Sequence, residues 1–176
     1  MKFRMLLIGW LILATVVSSC QKKEPEPESA YQTQEYKGMK ILVGRFTPQD
    51  LWNEIPDWKA EYMIYQPDPA VVEQLRTIQQ DVEIVCVMGI WCPDSKAGVP
   101  GFLKALSEAN NPHLKITLYG VDRQRHDPFE SAKKYHVQRV PTFIVFRAGK
   151  EIGRMVEVPQ TTFEADLIEL LHSGKN

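Results

Sequence analysis

Three cysteines, at positions 20, 86 and 92, carry the nucleophilic sulfur of this 176-residue chain. Cys92 stands in Trp91-Cys92-Pro93-Asp94-Ser95-Lys96, directly after an apolar run that ends near Met88 and before a helix-compatible run through Phe102, Leu103, Ala105 and Leu106. A cysteine where a strand hands over to a helix faces free N–H groups and the positive end of the helix dipole, which favour a thiolate over a thiol. Pro93 suits the first helical turn, because it has no N–H to leave unsatisfied. Asp94 caps or decorates the same turn, and its charge works against the dipole. The chemistry this pattern offers is attack by Cys92 on a disulfide or an oxidised cysteine. Ser95, three residues on, cannot act as a second attacking thiol; it donates a hydrogen bond to the Cys92 thiolate or fills space. Cys86 lies in the apolar run, where a cysteine packs as a small hydrophobe. The sharper alternative is a reversible bridge to Cys92, which needs Cβ atoms about 3.5–4.5 Å apart.

Other chemistries find little support. His113, His126, His136 and His172 have no metal-ligand spacing, and three cysteines are too few for a four-ligand zinc site. No metal and no cofactor is expected. Arg123, Arg125 and His126 read as a solvated loop with a possible say in substrate choice. A net charge of −1 gives no basic footprint for nucleic acid. An apolar share of 44% supports a packed core and excludes wholesale disorder.

The elements that must position Cys92 follow from periodicity. Thr47-Pro48-Gln49-Asp50 reads as N-cap, proline at N1 and an acid at N3, opening a short helix through Leu51 and Trp52. Asp68-Pro69 repeats that signal ahead of Val71, Val72, Leu75 and Ile78. Val82 to Met88 and Leu114 to Val121 are short apolar runs, hence buried strands. A helix is expected from Phe129 to Tyr135, a strand from Thr142 to Phe146, a turn at Gly149-Lys150 and a strand from Glu151 to Val156. Thr161 to Leu171 closes the chain as an amphipathic helix. Ile55 to Gln66 has no assignable period. Helices alternating with short buried strands imply an α/β architecture with a central mixed β-sheet flanked by helices.

The Trp91–Ser95 segment resembles the active site of the thioredoxin family. Pro100 lies eight residues after Cys92, where the family helix carries a proline, and Val140-Pro141-Thr142-Phe143 resembles the family's cis-proline loop. Gly149-Lys150 falls at the family's final hairpin, and Asp122 ends the preceding strand as in relatives. The resemblance spans about Val71 to Leu171 and implies a thioredoxin-like fold, with Cys92, Trp91 and Ser95 as the catalytic set. It further implies that Pro141 is cis, faces Cys92, and that the backbone at Val140 pairs with an extended substrate strand, a form of β-augmentation. Val140, Pro141, Pro93 and Asp94 are the implied substrate contacts. Two departures matter: Ser95 stands where the family keeps its second cysteine, and Cys86 stands where many thioredoxins keep a buried acid.

The N-terminus bears Lys2 and Arg4, an apolar run from Met5 to Val17, and Ser18-Ser19-Cys20. That is an export signal with too short an apolar run for the ~20 residues of a membrane span. Val17-Ser18-Ser19-Cys20 resembles the bacterial lipobox, which implies lipidation of Cys20 after removal of residues 1–19. The polar, proline-bearing stretch that follows reads as a tether through residues 20–38, with the thioredoxin-like domain over 39–176. The expectation is a lipid-anchored cell-envelope protein, facing the periplasm or the cell surface. It would exchange thiols and disulfides through one cysteine, with cysteine-containing envelope proteins or a thiol reductant as partners. The competing expectation is a non-catalytic thioredoxin-fold module that holds such partners.

Overall fold

The computed structural model describes residues 28–173. The leader, the lipobox and Cys20 lie outside the described residues. In chain order the elements are β1 (Ala30–Tyr36), β2 (Met39–Phe46), α1 (Pro48–Glu54), α2 (Pro56–Ile64), α3 (Pro69–Arg76) and β3 (Val82–Met88). There follow α4 (Pro93–Ala109), β4 (Leu114–Gly120), α5 (Ser131–Lys134), β5 (Thr142–Arg147), β6 (Lys150–Val156) and α6 (Phe163–Ser173). The strands form one sheet in the order β1-β2-β4-β3-β5-β6. β3 and β4 are parallel, and every other neighbouring pair is antiparallel. This is the mixed sheet expected of the α/β thioredoxin-like fold.

β3 is central, and its side chains alternate between two apolar layers. Ile84, Cys86 and Met88 join the larger cluster, with Val99, Phe102 and Leu103 of α4 and Leu167 and Leu171 of α6. Val85 and Val87 face the smaller cluster, with Tyr119, Ala132, Val137, Val140 and Ile144. Alternation with period two explains how one continuous apolar run serves both faces.

The start signals act as read. Thr47 accepts from the Asp50 N–H, and the Asp50 carboxylate accepts from the Thr47 N–H at 2.9 Å, a reciprocal capping box. The Asp68 carboxylate accepts from Ala70 N at 2.8 Å and caps α3. The unassigned stretch from Ile55 becomes α2, which buries Trp58 but leaves Met63 62% and Ile64 72% exposed. Those exposed apolar residues blur the helical period, which is why no element was legible there.

Two expectations are corrected. The polar tether does not run to Gly38: Ala30–Tyr36 is a strand, paired along its length with β2 from Ala30↔Arg45 to Tyr36↔Met39. Its composition is polar because it is the edge strand, held by backbone hydrogen bonds to an apolar neighbour and by Tyr31 and Tyr36 packed on the core. Lys37 and Gly38, with φ of 50° and 76°, make the two-residue turn, whose left-handed backbone suits glycine at the second position. The helix expected from Phe129 to Tyr135 shrinks to Ser131–Lys134. The Asp127 carboxylate accepts from the N–H groups of Phe129 and Ser131, both at 2.8 Å, and Glu130 is left-handed at φ 48°, so the chain turns where a longer helix would start.

Candidate active site

β3 ends at Met88, and four residues carry the chain to α4. Gly89 accepts at its carbonyl from Cys92 N at 2.9 Å, which closes the turn. Cys92 is the N-cap of α4, with extended backbone at φ −93° and ψ 123°, and its carbonyl accepts the first helical bond from Lys96 N at 3.1 Å. Pro93 occupies the first helical turn, as its missing N–H allows. The apolar run of β3 and the proline start of α4 thus set Cys92 at the end of the sheet, on the amino end of the helix.

The Cys92 side chain is 7% exposed, and its S–H donates to the Val140 carbonyl at 3.1 Å. The Val140–Pro141 peptide is cis. Val140 is itself buried, so it meets the sulfur through its backbone and keeps its side chain in the smaller cluster. The Pro141 carbonyl accepts from Glu157 N at 2.7 Å, and Thr142 Oγ1 donates to the Arg139 carbonyl at 2.7 Å. The loop that faces Cys92 is therefore tied to the end of β6 and to its own upstream turn.

Ser95 is fully buried, and its Oγ accepts from the Gly89 N–H at 3.3 Å. Its hydrogen bond secures the turn that leads into Cys92, a role outside both sequence-based alternatives. Trp91 donates its indole N–H to the Val121 carbonyl at 2.9 Å, which fixes the ring against the end of β4. A side chain at Gly89 would meet the Trp91 indole at 2.5 Å, so only glycine lets that ring lie where it does. Pro93 and Asp94 are exposed beside the sulfur.

Cys86 is fully buried, and burial pushes its thiol up from its ordinary range. Both cysteines are free, and they belong to different apolar layers: Cys86 packs with α4 and α6, Cys92 with Val140 and Ile144. Cys86 faces away from the Cys92 layer because it alternates with Val85 and Val87.

A cleft of about 230 Å³ opens beside the start of α4, lined among others by Asp94, Gly98, Tyr65, Val158 and Glu164. Glu164 is 1% exposed, and its carboxyl accepts from the Tyr65 hydroxyl at 2.6 Å. Burial, with this hydrogen bond and the nearby charge, pushes the Tyr65 hydroxyl well above the usual tyrosine range. Among the described residues no group of three or more His, Cys, Asp or Glu could hold a metal ion, and no helix is long and apolar enough to cross a membrane.

Sequence reasoning placed Trp91, Cys92, Ser95, Val140 and Pro141, and the fold brings them together. It missed Gly89, Glu157 and Tyr36, whose ring lies 5.2 Å from the guanidinium of Arg123, an arginine that also lies over Trp91. A glycine directly after a buried strand was a usable signal for Gly89. Glu157 acts through its backbone N–H, and Tyr36 comes from the segment read as tether, so neither carried one.

Comparison with known proteins agrees with this geometry. The family model described as Thioredoxin matches residues 52–169, more than half of the chain. No curated protein matches. Among solved structures, an HIV epitope scaffold superposes with a TM-score of 0.58 at 13% identity, covering 74% of this chain and 94% of that one. A protein of unknown function from Pseudomonas aeruginosa gives a TM-score of 0.52 at 15% identity, covering 75% of this chain and 82% of that one. Thioredoxin O2 from Arabidopsis thaliana, in the oxidized state, is 18% identical with a TM-score of 0.40, over 59% of this chain and 83% of that one. At 13% and 15% identity the first two likenesses are of fold alone; the family match over residues 52–169 shows that the chain belongs to the thioredoxin family.

Proposed function

We propose that this protein is a thiol–disulfide exchange protein that uses Cys92 as its single nucleophile and is held at a bacterial cell envelope by lipid on Cys20. The observation that carries the exchange reading is the Cys92 sulfur at the amino end of α4, 3.1 Å from the Val140 carbonyl, with Ser95 in place of a second thiol. An extended substrate strand pairing with the backbone at Val140 competes for that carbonyl and draws it away from the S–H. Cys92, its proton gone to solvent, attacks one sulfur of the substrate disulfide. A Cys92–sulfur bond forms, the substrate S–S bond breaks, and the leaving thiolate takes up a proton. A second substrate thiol or an external thiol then attacks the mixed disulfide and restores Cys92, which makes the protein isomerase-like in the first case and reductase-like in the second. No cofactor enters either route. Ser95 and Trp91 are positioning residues: one holds the turn before Cys92, the other packs against the apolar cluster that contains Cys92.

The partners on this reading are cysteine-containing envelope proteins or a thiol reductant, reached from the periplasm or the cell surface. The lipid would supply about 0.8 kcal/mol per buried methylene, and several acyl chains together anchor stably. The test is a peptide disulfide mixed with the protein, followed by mass spectrometry of the adduct. An adduct on Cys92 that disappears in Cys92→Ser, together with loss of exchange, is the expected result. Exchange that survives Cys92→Ser refutes the reading. One observation favours a second reading, a module that binds partners without chemistry: the Cys92 sulfur is largely covered and its proton is engaged. Partner capture that persists in Cys92→Ala, with no adduct in the parent protein, would select it. Cys20→Ala should move the protein from the membrane to the soluble fraction.

A further inference from the structure

The loop after β4 places a cation against the Cys92 site. The Arg123 guanidinium carbon lies over the Trp91 ring at 4.6 Å from its centroid and over the Tyr36 ring at 5.2 Å. Trp91 precedes Cys92 in the chain, and its indole is anchored to Val121, two residues before Arg123. Tyr36 ends β1, so the N-terminal hairpin, which starts upstream of the matched family region, reaches this rim. Arg123 is exposed, and among the described residues no ion pair engages its guanidinium. The neighbouring acid is already committed: Asp122 Oδ1 accepts from Gln124 N at 2.9 Å and His126 N at 2.8 Å. Lys37, with its ammonium 5.6 Å from the Tyr36 ring, adds a second positive charge on the hairpin side.

Two aromatic contacts hold the arginine arm, so less freedom is lost when its N–H fork meets a carboxylate, whose planar geometry it matches. An extended strand rises about 3.3 Å per residue, which brings a side chain one or two positions from the reacting sulfur within an arginine's reach of Trp91. We propose that Arg123 selects substrate polypeptides whose reacting cysteine is flanked by a carboxylate side chain, held as an ion pair beside Trp91. The inference rests on the exchange reading and names its substrate class. The competing preference, for a basic flank, would use the cleft that Asp94, Glu157 and Glu164 line.

The experiment uses the full chain at low ionic strength and cysteine peptides carried as mixed disulfides with a chromophoric aryl thiol. Attack by Cys92 on the peptide sulfur forms the Cys92–peptide disulfide and releases the protonated or ionised aryl thiol, whose absorbance gives the rate. Three peptides differ only in having Glu, Gln or Lys beside the cysteine. The expected order is Glu over Gln over Lys, with roughly a threefold to tenfold spread that shrinks as salt rises, as a partly exposed charge pair dictates. Arg123→Gln should bring the Glu-to-Lys ratio towards one, and Arg123→Lys should keep only part of it, because an ammonium keeps the charge but has no planar fork to match the carboxylate. Equal rates in the parent protein, a faster Lys peptide, or an Arg123→Gln variant that slows all three without changing their ratio would each overturn the proposal. The last of these would mean that Arg123 only steadies Trp91. Failure of Cys92 to react with any peptide would overturn the exchange reading itself and this inference with it.

Discussion

Replacing Tyr65 with phenylalanine removes one oxygen from the wall of the cleft and leaves the ring. The ring packs on α4, where a side chain at Gly101 would sit 2.9 Å from it, so the apolar contact survives the change. What is lost is the 2.6 Å hydrogen bond to Glu164, a carboxyl that is 1% exposed. Hydrogen bonds to charged groups contribute about 1.5–3 kcal/mol, and a buried acceptor left without its donor keeps the desolvation cost, so Tyr65→Phe should destabilise by about 2 kcal/mol. With a urea slope of about 2 kcal/mol per molar, the midpoint near neutral pH should fall by about 1 M. The pH dependence checks the assignment independently. The Tyr65 hydroxyl is held above its ordinary value of 10.0, first by burial, then by the hydrogen bond to Glu164 and by its charge. A raised value means that the folded protein keeps a proton the unfolded chain releases. The stabilisation is therefore complete below the unfolded value and is lost as pH climbs above it, at up to about 1.36 kcal/mol per pH unit for one proton. The parent protein should lose stability faster than Tyr65→Phe above that point, so the gap between them narrows. Tyr31, Tyr119 and Cys86, also raised by burial, set the slope that both proteins share. A gap under about 0.5 kcal/mol near neutral pH, far below what a buried charged acceptor should cost, or a gap that stays constant into strong alkali, would refute this account of the Tyr65–Glu164 pair.

Further outcomes follow from the same geometry. Cys86→Ser places a hydroxyl in a fully buried apolar layer and should cost about 1–3 kcal/mol in chemical denaturation; an unchanged midpoint would mean a polar partner awaits it. In the native protein a thiol reagent should label Cys92 and spare Cys86 until unfolding, because the Cys86 thiol is buried and pushed up; equal labelling rates would contradict that burial. Gly89→Val drives a side chain into the Trp91 indole and should cost about 1–3 kcal/mol with a changed near-ultraviolet tryptophan signal; an unaltered spectrum would mean that the indole can lie elsewhere. Thr47→Ala breaks the capping box of α1 and should cost about 1 kcal/mol near neutral pH. Burial raises the Asp50 carboxyl, but hydrogen bonds from Ser29 and Thr47 outweigh it and hold the group below its ordinary value of 3.8. That stabilisation is present above 3.8 and fades as pH falls through the lower folded value, so the Thr47→Ala gap should shrink in acid; a gap that persists there in full would assign the cost to the bond from the Asp50 N–H to the Thr47 hydroxyl alone.

Local rules carried the sequence a long way. Proline at N1 after Thr47, Asp68 and Cys92 started three helices where the structure has them, since missing N–H groups and N-cap geometry act within a few residues. A nearly continuous apolar run identified β3, because a strand buried on both faces needs no alternation; β4 was read in the same way, although only its last three residues, Leu118 to Gly120, are buried. The element order and the Trp91-Cys92-Pro93 segment together placed Cys92 at a strand-to-helix junction. Apart from the Val140–Pro141 loop, which the family resemblance supplied, the sequence was silent where a residue's role comes from a distant partner. Ala30–Tyr36 has a strand's place only because β2 offers it hydrogen bonds, and α2 is helical with its apolar residues divided between core and solvent. Short polar strands and weakly amphipathic helices have little intrinsic stability, so tertiary contacts choose their state. At the site the division is sharper. Sequence alone determined that a cysteine stands at position 92 with a serine at 95 and no second thiol there. Only the tertiary structure decided that the Cys92 proton meets the Val140 carbonyl, that Ser95 turns to Gly89, and that Arg123 lies over Trp91. Each of these contacts joins a side chain to a group from another loop or turn, and their directions depend on how the sheet and its loops pack rather than on residue type.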